Sequence, residues 1–310
     1  MSWRMPELPE VETVRRSLET YVVGRRLRQV VGVWPRAIEG GSPEAIQARL
    51  SGRRIVGLER RAKFLSLVFD DDARLLVHLR MTGKLYPESS RRRAPEERSS
   101  HISARLELSG GLRIVFEDQR RFGRLTLLND GAAYRRFSDR FGPEPLEAGF
   151  SLDWLRHNLQ VHRRMIKPLL LDQSFLAGLG NIYVDEALWL SGIHPLESAH
   201  QIDDERVGRL RRAIRQVLRR SIKANGTTFM NFRFLGGQSG GYTDQLLVFR
   251  RDGQPCLRCG QMVTKMRVAQ RGTHVCESCQ PRPSGAPSTQ RGRRRAKTSS
   301  ESSDSPPRPL

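Results

Sequence analysis

The chain has four cysteines, and all fall in one short segment: Cys256-x2-Cys259, sixteen intervening residues, then Cys276-x2-Cys279. That spacing brings four thiolates to one point and predicts a zinc site. A disulfide pair is the weaker alternative, since the N-terminus shows no signal-peptide core. Four thiolates would close a tetrahedral shell, so one zinc ion would be structural, with no open position for chemistry.

Around this clamp the pattern is mixed. Residues 6–128 open on a helix whose Val11, Val14, Leu18 and Val22 share a face, followed by seven β-rich runs at 26–34, 53–60, 64–69, 75–80, 102–108, 112–117 and 124–128. Such runs predict a β-sandwich, or a barrel, with flanking helices. Gly142-Pro143-Glu144-Pro145 reads as a hinge. Helical patterns follow at 152–160, 166–171, 182–191 and 203–224, the last with Val207, Leu210, Ile214, Val217 and Leu218 on one face. The fold class is therefore α+β multidomain. An N-terminal β-sandwich domain spans 1–140, with its true start expected at 5 or 6, a helical domain 141–245, the zinc β-hairpin finger 246–280, and a basic tail, expected to be disordered, 281–310. Residues 88–100 read as a flexible loop.

Lys and Arg outnumber Asp and Glu by 54 to 33, a formal net charge of +21. The residues from 281 onward contribute seven of those cations and two of the anions, so the body keeps most of the excess. A polyanionic partner is implied, and nucleic acid, the ribosome or a membrane surface would each fit such a charge. No apolar run reaches the ~18 residues of a membrane span, so a soluble cytoplasmic protein is expected.

Met5-Pro6-Glu7-Leu8-Pro9-Glu10-Val11-Glu12 carries two readings. Pro9 suits a first helical position, and Glu10 and Glu12 the positive end of the helix dipole. That leaves Pro6-Glu7 unexplained. If translation starts at Met5 and that methionine is removed, Pro6 becomes a terminal secondary amine beside a carboxyl group. An α-amino group titrates near ~8 against ~10.4 for lysine, so roughly one terminal amine in ten is free to attack at pH 7.

Four further segments accompany it in order: Arg61-Ala62-Lys63, Met81-Thr82-Gly83, Arg120-Arg121-Phe122-Gly123 and Ala177-Gly178-Leu179-Gly180-Asn181-Ile182-Tyr183. Each has an ordinary reading: a solvated strand-entry lysine, core side chains and a surface charge, a tight turn with Asn181 as helix cap. Together with the Pro-Glu opening and the four cysteines, they resemble the bacterial formamidopyrimidine-DNA glycosylases over nearly all of residues 5–280.

The resemblance implies a bifunctional DNA glycosylase and AP lyase that removes oxidised purines from duplex DNA, with a helix–two-turn–helix in the helical domain. Pro6 would be the nucleophile, Glu7 the proton donor and Lys63 a second proton-handling group. Met81 and Phe122 would wedge the base stack and Arg120 would contact the orphaned base, because an enzyme acting on a base in duplex DNA must extrude it. Asn181 and backbone amides at its helix start would grip a phosphate, with Arg163 and Lys167 nearby. Arg271, in Gln270-Arg271-Gly272-Thr273 of the zinc hairpin, would pin phosphates and serve the δ-elimination.

His101 and His162 are further expected DNA contacts. Ser99 stands where the family often has histidine, His162 where it often has lysine, and Arg80 where glycine is more usual. Residues 231–241 match the region that closes over the flipped base. Two rivals stay open: an endonuclease VIII-like glycosylase for oxidised pyrimidines, whose opening normally has glycine where this chain has Leu8, and a non-catalytic DNA-binding protein. The expected partner is double-stranded DNA with oxidised bases or abasic sites, bound by a monomer associated with the bacterial nucleoid.

Overall fold

The computed structural model describes residues 5–89, 101–227 and 241–285. Met1–Arg4, Ser99, most of the expected loops 88–100 and 231–241, and the tail beyond residue 285 lie outside the described residues.

Helix α1 (Leu8–Val22) leads into strand β1 (Leu27–Val31), helix α2 (Pro43–Leu50) and the strands β2 (Ile55–Arg61), β3 (Phe64–Phe69), β4 (Arg74–His78), β5 (Gly83–Ser89), β6 (Ile102–Leu108), β7 (Leu112–Asp118) and β8 (Arg124–Leu128). Two antiparallel four-stranded sheets result, ordered β1-β6-β7-β5 and β2-β3-β4-β8. Both turn apolar side chains into one core, Phe69, Leu75 and Val77 from one sheet and Leu106, Ile114 and Phe116 from the other. The sandwich is as expected, with one strand more than the seven runs anticipated. β5 carries Pro87, which argues against an interior strand; it lies at a sheet edge, where a missing N–H leaves no ladder bond unmade. Helix α2 was also not anticipated, although Ser42 caps it by accepting from the Ala45 amide and Pro43 opens it.

Helix α3 (Gly131–Ser138) follows the sandwich, and then α4 (Leu152–Gln160), α5 (Ile166–Leu171), α6 (Asn181–Ser191) and α7 (Asp204–Lys223) form the helical layer. Its core takes the expected stripe of α7, from Val207 to Leu218. Leu8 belongs to this helical core, whereas Val11, Val14, Leu18 and Val22 belong to the sandwich core. Helix α1 is therefore anchored at its start in one core and along its length in the other. Pro6-Glu7 sits where the two meet. A hairpin, β9 (Thr264–Val268) and β10 (Arg271–Val275), closes the described chain.

Candidate active site

Glu7 is held by the turn that precedes α6. The Leu8 amide donates to the Gly178 carbonyl at 3.0 Å. Gly178 has a φ of +84°, and an added Cβ would lie 2.6 Å from Leu8 Cδ1. At Gly180 an added Cβ would overlap the Glu7 carboxyl carbon, so glycine is what lets the acid lie against the turn. Glu7 Oε1 accepts from the Ile182 amide at 3.0 Å, at the positive end of the α6 dipole. Oε2 is buried without a hydrogen-bond partner among the described residues.

Behind Glu7, the Glu10 carboxylate accepts from the Glu7 amide (3.0 Å), the Tyr183 hydroxyl (2.6 Å) and the Thr227 amide and hydroxyl (both 3.0 Å). Burial pushes the Glu7 carboxyl up to about 7, with the Glu10 charge adding to the rise, while Lys63 and the α6 amides partly offset it. Such a carboxyl can release a proton at neutral pH.

Lys63 occupies the two-residue turn of the β2–β3 hairpin, after Ala62 at φ +52°. Glu144, in the segment expected to be a hinge, grips the back of that turn, accepting from the Ala62 amide and Arg60 (both 2.6 Å) and Arg61 (3.1 Å). Lys63, Glu7, Met81, Asn181 and Arg271 line one cavity of about 420 Å³. Burial lowers the Lys63 ammonium, opposed by the Glu7 charge and assisted by Arg271. Lys265, which sequence reading passed over, lines the cavity too. Its signal was pairing across a hairpin, which single residues do not announce. Pro6 is buried, and in the chain as given its nitrogen is the amide that follows Met5, another lining residue.

Two expectations are corrected here. Asn181 does not cap α6; the cap position is Gly180, and Asn181 is the first helical residue. Its Nδ2 donates to the Gly272 carbonyl at 2.8 Å, and the Ile182 amide is already engaged by Glu7, so the helix start is not an open phosphate grip. Lys167 is fully buried rather than facing a phosphate. Its Nζ lies 2.6 Å from Asp185 Oδ1 and donates to Thr273 Oγ1 (2.8 Å) and the Gly272 carbonyl (3.2 Å). Asp185 Oδ2 accepts from the His274 amide at 3.0 Å. A buried cation needs such pairing, and here the pairing bolts β10 to α5 and α6. Arg271, exposed at the start of β10, is thereby fixed at the cavity edge. The turn before it, Ala269-Gln270, has φ +44° and +63°, the two left-handed residues of a tight hairpin turn, without glycine.

The two expected wedge residues, Met81 and Phe122, and the expected orphan-base contact, Arg120, come together. Arg120 Nη1 lies 3.2 Å from Met81 Sδ, and the Arg120 guanidinium lies 4.6 Å from the centre of the Phe122 ring. Phe122 is 44% exposed, which no core role explains. Arg80 has a φ of +51°, which is why glycine suits that position, and its amide donates to His78 Nδ1 at 3.0 Å. Arg163 is exposed and His101 half-buried. His162 Nδ1 lies 2.6 Å from the Asn158 carbonyl oxygen, and its ring packs edge-on to Phe175, so half of its polar capacity is turned inward.

The four cysteine sulfurs lie within 4.8 Å of one another, with Cys256–Cys279 at 3.8 Å and Cys259–Cys276 at 3.5 Å. A tetrahedral shell with Zn–S near ~2.3 Å places its sulfurs about 3.8 Å apart, so these residues fit one structural zinc. Trp189 of α6 packs against Cys256 and Cys276, joining the finger to the helical layer.

Family models agree with this architecture segment by segment. The formamidopyrimidine-DNA glycosylase N-terminal domain matches residues 5–125, the H2TH domain of the same enzymes 141–232, and a zinc finger found in FPG and IleRS 253–282. The formamidopyrimidine-DNA glycosylase of Herpetosiphon aurantiacus is 44% identical over 277 residues, covering 89% of this chain and 100% of the relative. That of Enterococcus faecalis is 42% identical over 278 residues, covering 89% and 97%. Among solved structures, Lactococcus lactis Fpg in complex with an abasic site containing DNA superposes with a TM-score of 0.82 at 36% identity, covering 89% of this chain and 100% of that one. MutM in complex with carbocyclic 8-oxo-G containing DNA gives 0.81 at 37%, with the same coverage. With three successive domain matches and relatives of this identity along their whole length, the chain belongs to the formamidopyrimidine-DNA glycosylase family.

Proposed function

We propose that the protein is a bifunctional DNA glycosylase and AP lyase of base excision repair that removes oxidised purines from duplex DNA. The observation that carries this reading is Glu7: a carboxyl raised to about 7, beside Pro6, in a cavity shared with Lys63 and Arg271. In the working chain, Pro6 is the first residue and its free amine attacks C1′ of the damaged nucleotide. The glycosidic bond breaks and its electron pair leaves with the base, which takes up the proton shed by the proline nitrogen; the C1′–O4′ bond then opens as Glu7 protonates O4′, leaving C1′ and the proline nitrogen as an iminium. The resulting iminium acidifies the C2′ proton. Elimination breaks the 3′ C–O bond and then the 5′ C–O bond, leaving a one-nucleotide gap flanked by phosphates, with Lys63 and Arg271 as the proton-handling and phosphate-holding cations.

A start at Pro6 is supported by the family match, which begins at residue 5, and by the small residue after Met5. Met81 and Phe122 fill the space of the extruded nucleotide and Arg120 contacts the orphaned base, while His101, His162 and Arg163 border the duplex. The working units are the N-terminal domain from Pro6 to residue 140, residues 141–245 and residues 246–280, acting as a monomer on double-stranded DNA in the bacterial cytoplasm, at the nucleoid. The zinc holds the finger and takes no part in the chemistry. Oxidised purines are favoured because the DNA in similar solved complexes carries Fapy-dG or 8-oxo-G.

Borohydride trapping tests the reading. A covalent adduct selective for an 8-oxoguanine duplex is expected. Selectivity for an oxidised pyrimidine would favour the endonuclease VIII-like alternative, and absence of any adduct a non-catalytic binder.

A further inference from the structure

The wedge is built from two loops that are far apart in sequence: Met81 lies between β4 and β5, Arg120 and Phe122 between β7 and β8. One buried side chain joins them. Asp118, the last residue of β7, has no exposed surface. Its Oδ1 accepts from the Thr82 hydroxyl, next to Met81, and from the Arg120 amide at 3.2 Å. Its Oδ2 accepts from the Gly123 amide at 2.6 Å, next to Phe122. The Thr82 hydroxyl in turn accepts from the Arg120 amide at 3.1 Å.

These partners are neutral N–H and O–H groups. A buried carboxylate satisfied this way is stable only while every donor stays in place, so it draws both loops to itself. Gly123 fits because it lacks a Cβ, which would overlap Phe116 Cζ and sit 3.1 Å from Asp118 Oδ2.

We propose that Asp118 is the positioning residue of the wedge. It touches no substrate; it holds Met81, Arg120 and Phe122 in mutual contact before DNA arrives, so that extruding a nucleotide requires no ordering of these loops. The inference rests on the proposed excision activity. It separates substrates by what they demand: a lesion in duplex DNA must be extruded and replaced in the stack, whereas an abasic site in a single strand has neither base nor stack to replace.

The test is Asp118→Asn, which keeps the shape but removes the charge and turns one acceptor into a donor facing N–H groups. Single-turnover excision from an 8-oxoguanine duplex should fall about tenfold or more, the scale of a lost hydrogen bond to a charged group. Cleavage of a single-stranded oligonucleotide with a preformed abasic site should stay within about twofold, since no step of it uses the wedge. Thr82→Val, which removes one donor and leaves the carboxylate in place, should shift the two substrates in the same unequal way and covers the case in which the first variant folds poorly. Duplex excision at the wild-type rate in both variants, or equal loss on both substrates, would overturn the positioning role. A wild-type protein inactive on both substrates would instead overturn the proposed activity.

Discussion

The pH dependence of base excision follows from the burial of Glu7. Productive molecules hold Glu7 protonated and the Pro6 amine free, so the rate tracks the product of two fractions. With Glu7 at about 7 and a terminal amine near ~8, that product peaks near pH ~7.5 at about 6% of molecules. A carboxyl left at its ordinary 4.5 would move the optimum to about pH 6.3 and cut the productive fraction to about 0.03%, roughly 200-fold lower.

Single-turnover excision from a lesion duplex, measured from pH 5.5 to 9.5 on protein beginning at Pro6, should therefore give a bell centred near ~7.5. Glu7→Gln should abolish excision, leave duplex binding nearly intact, and affect cleavage of a preformed abasic site less. An optimum near pH ~6.3, or near-normal excision by the Gln variant, would refute the assignment of Glu7 as a buried acid.

The same shift has a consequence for stability. A carboxyl whose folded value is raised makes the folded chain bind more protons than the unfolded one. Stability should therefore fall as pH rises from 4.5 to about 7, by up to ~3 kcal/mol from this group, and Glu7→Gln should remove that component of a denaturant-melt series.

Gly180→Ala should act like a loss of Glu7, because its methyl would occupy the carboxyl group's place; excision at the wild-type rate would contradict the packing. DNA affinity should fall steeply with salt, and Arg163→Ala should reduce the slope of log K against log salt by about 0.9 if it meets a phosphate. Lys167→Met should leave that slope unchanged and instead destabilise the fold by about 3–5 kcal/mol, since Asp185 would stay buried without its cation; circular-dichroism melts and salt titrations separate the two. Zinc removal should disorder the hairpin and weaken DNA binding through Arg271, while the sandwich and helical cores stay folded; unchanged affinity of the apo-protein would count against a DNA-facing hairpin. Intact-mass analysis of active protein should find Pro6 first, and activity with Met1–Arg4 on every molecule would force another nucleophile.

Much of this protein is local in its sequence. The apolar stripes of α1 and α7 are periodic, the four cysteines announce their own spacing, and Pro6-Glu7 is conspicuous as a second proline–acid pair ahead of the one at Pro9-Glu10. Pro6-Glu7 counts among them because Pro9-Glu10 already serves the helix start and leaves the earlier pair over; such signals survive reading because period, spacing and covalent chemistry need no partner elsewhere in the chain. Strand β5 did not survive it, since the harmlessness of Pro87 depends on its edge position, which only the assembled sheet defines.

The site shows the same division. Lys167 and Asn181 read as DNA contacts because a cation and an amide near a turn look solvent-facing in one dimension; the fold spends them on the Asp185 and Gly272 side of the zinc hairpin. Asp118 was invisible, its role existing only once two distant loops converge. The value of about 7 at Glu7 comes from desolvation between α1 and the Gly178–Asn181 turn, more than 170 residues away. Sequence determined which chemical groups are available; tertiary structure decided which of them are dry, paired and aimed, because burial and charge proximity are properties of the packed chain.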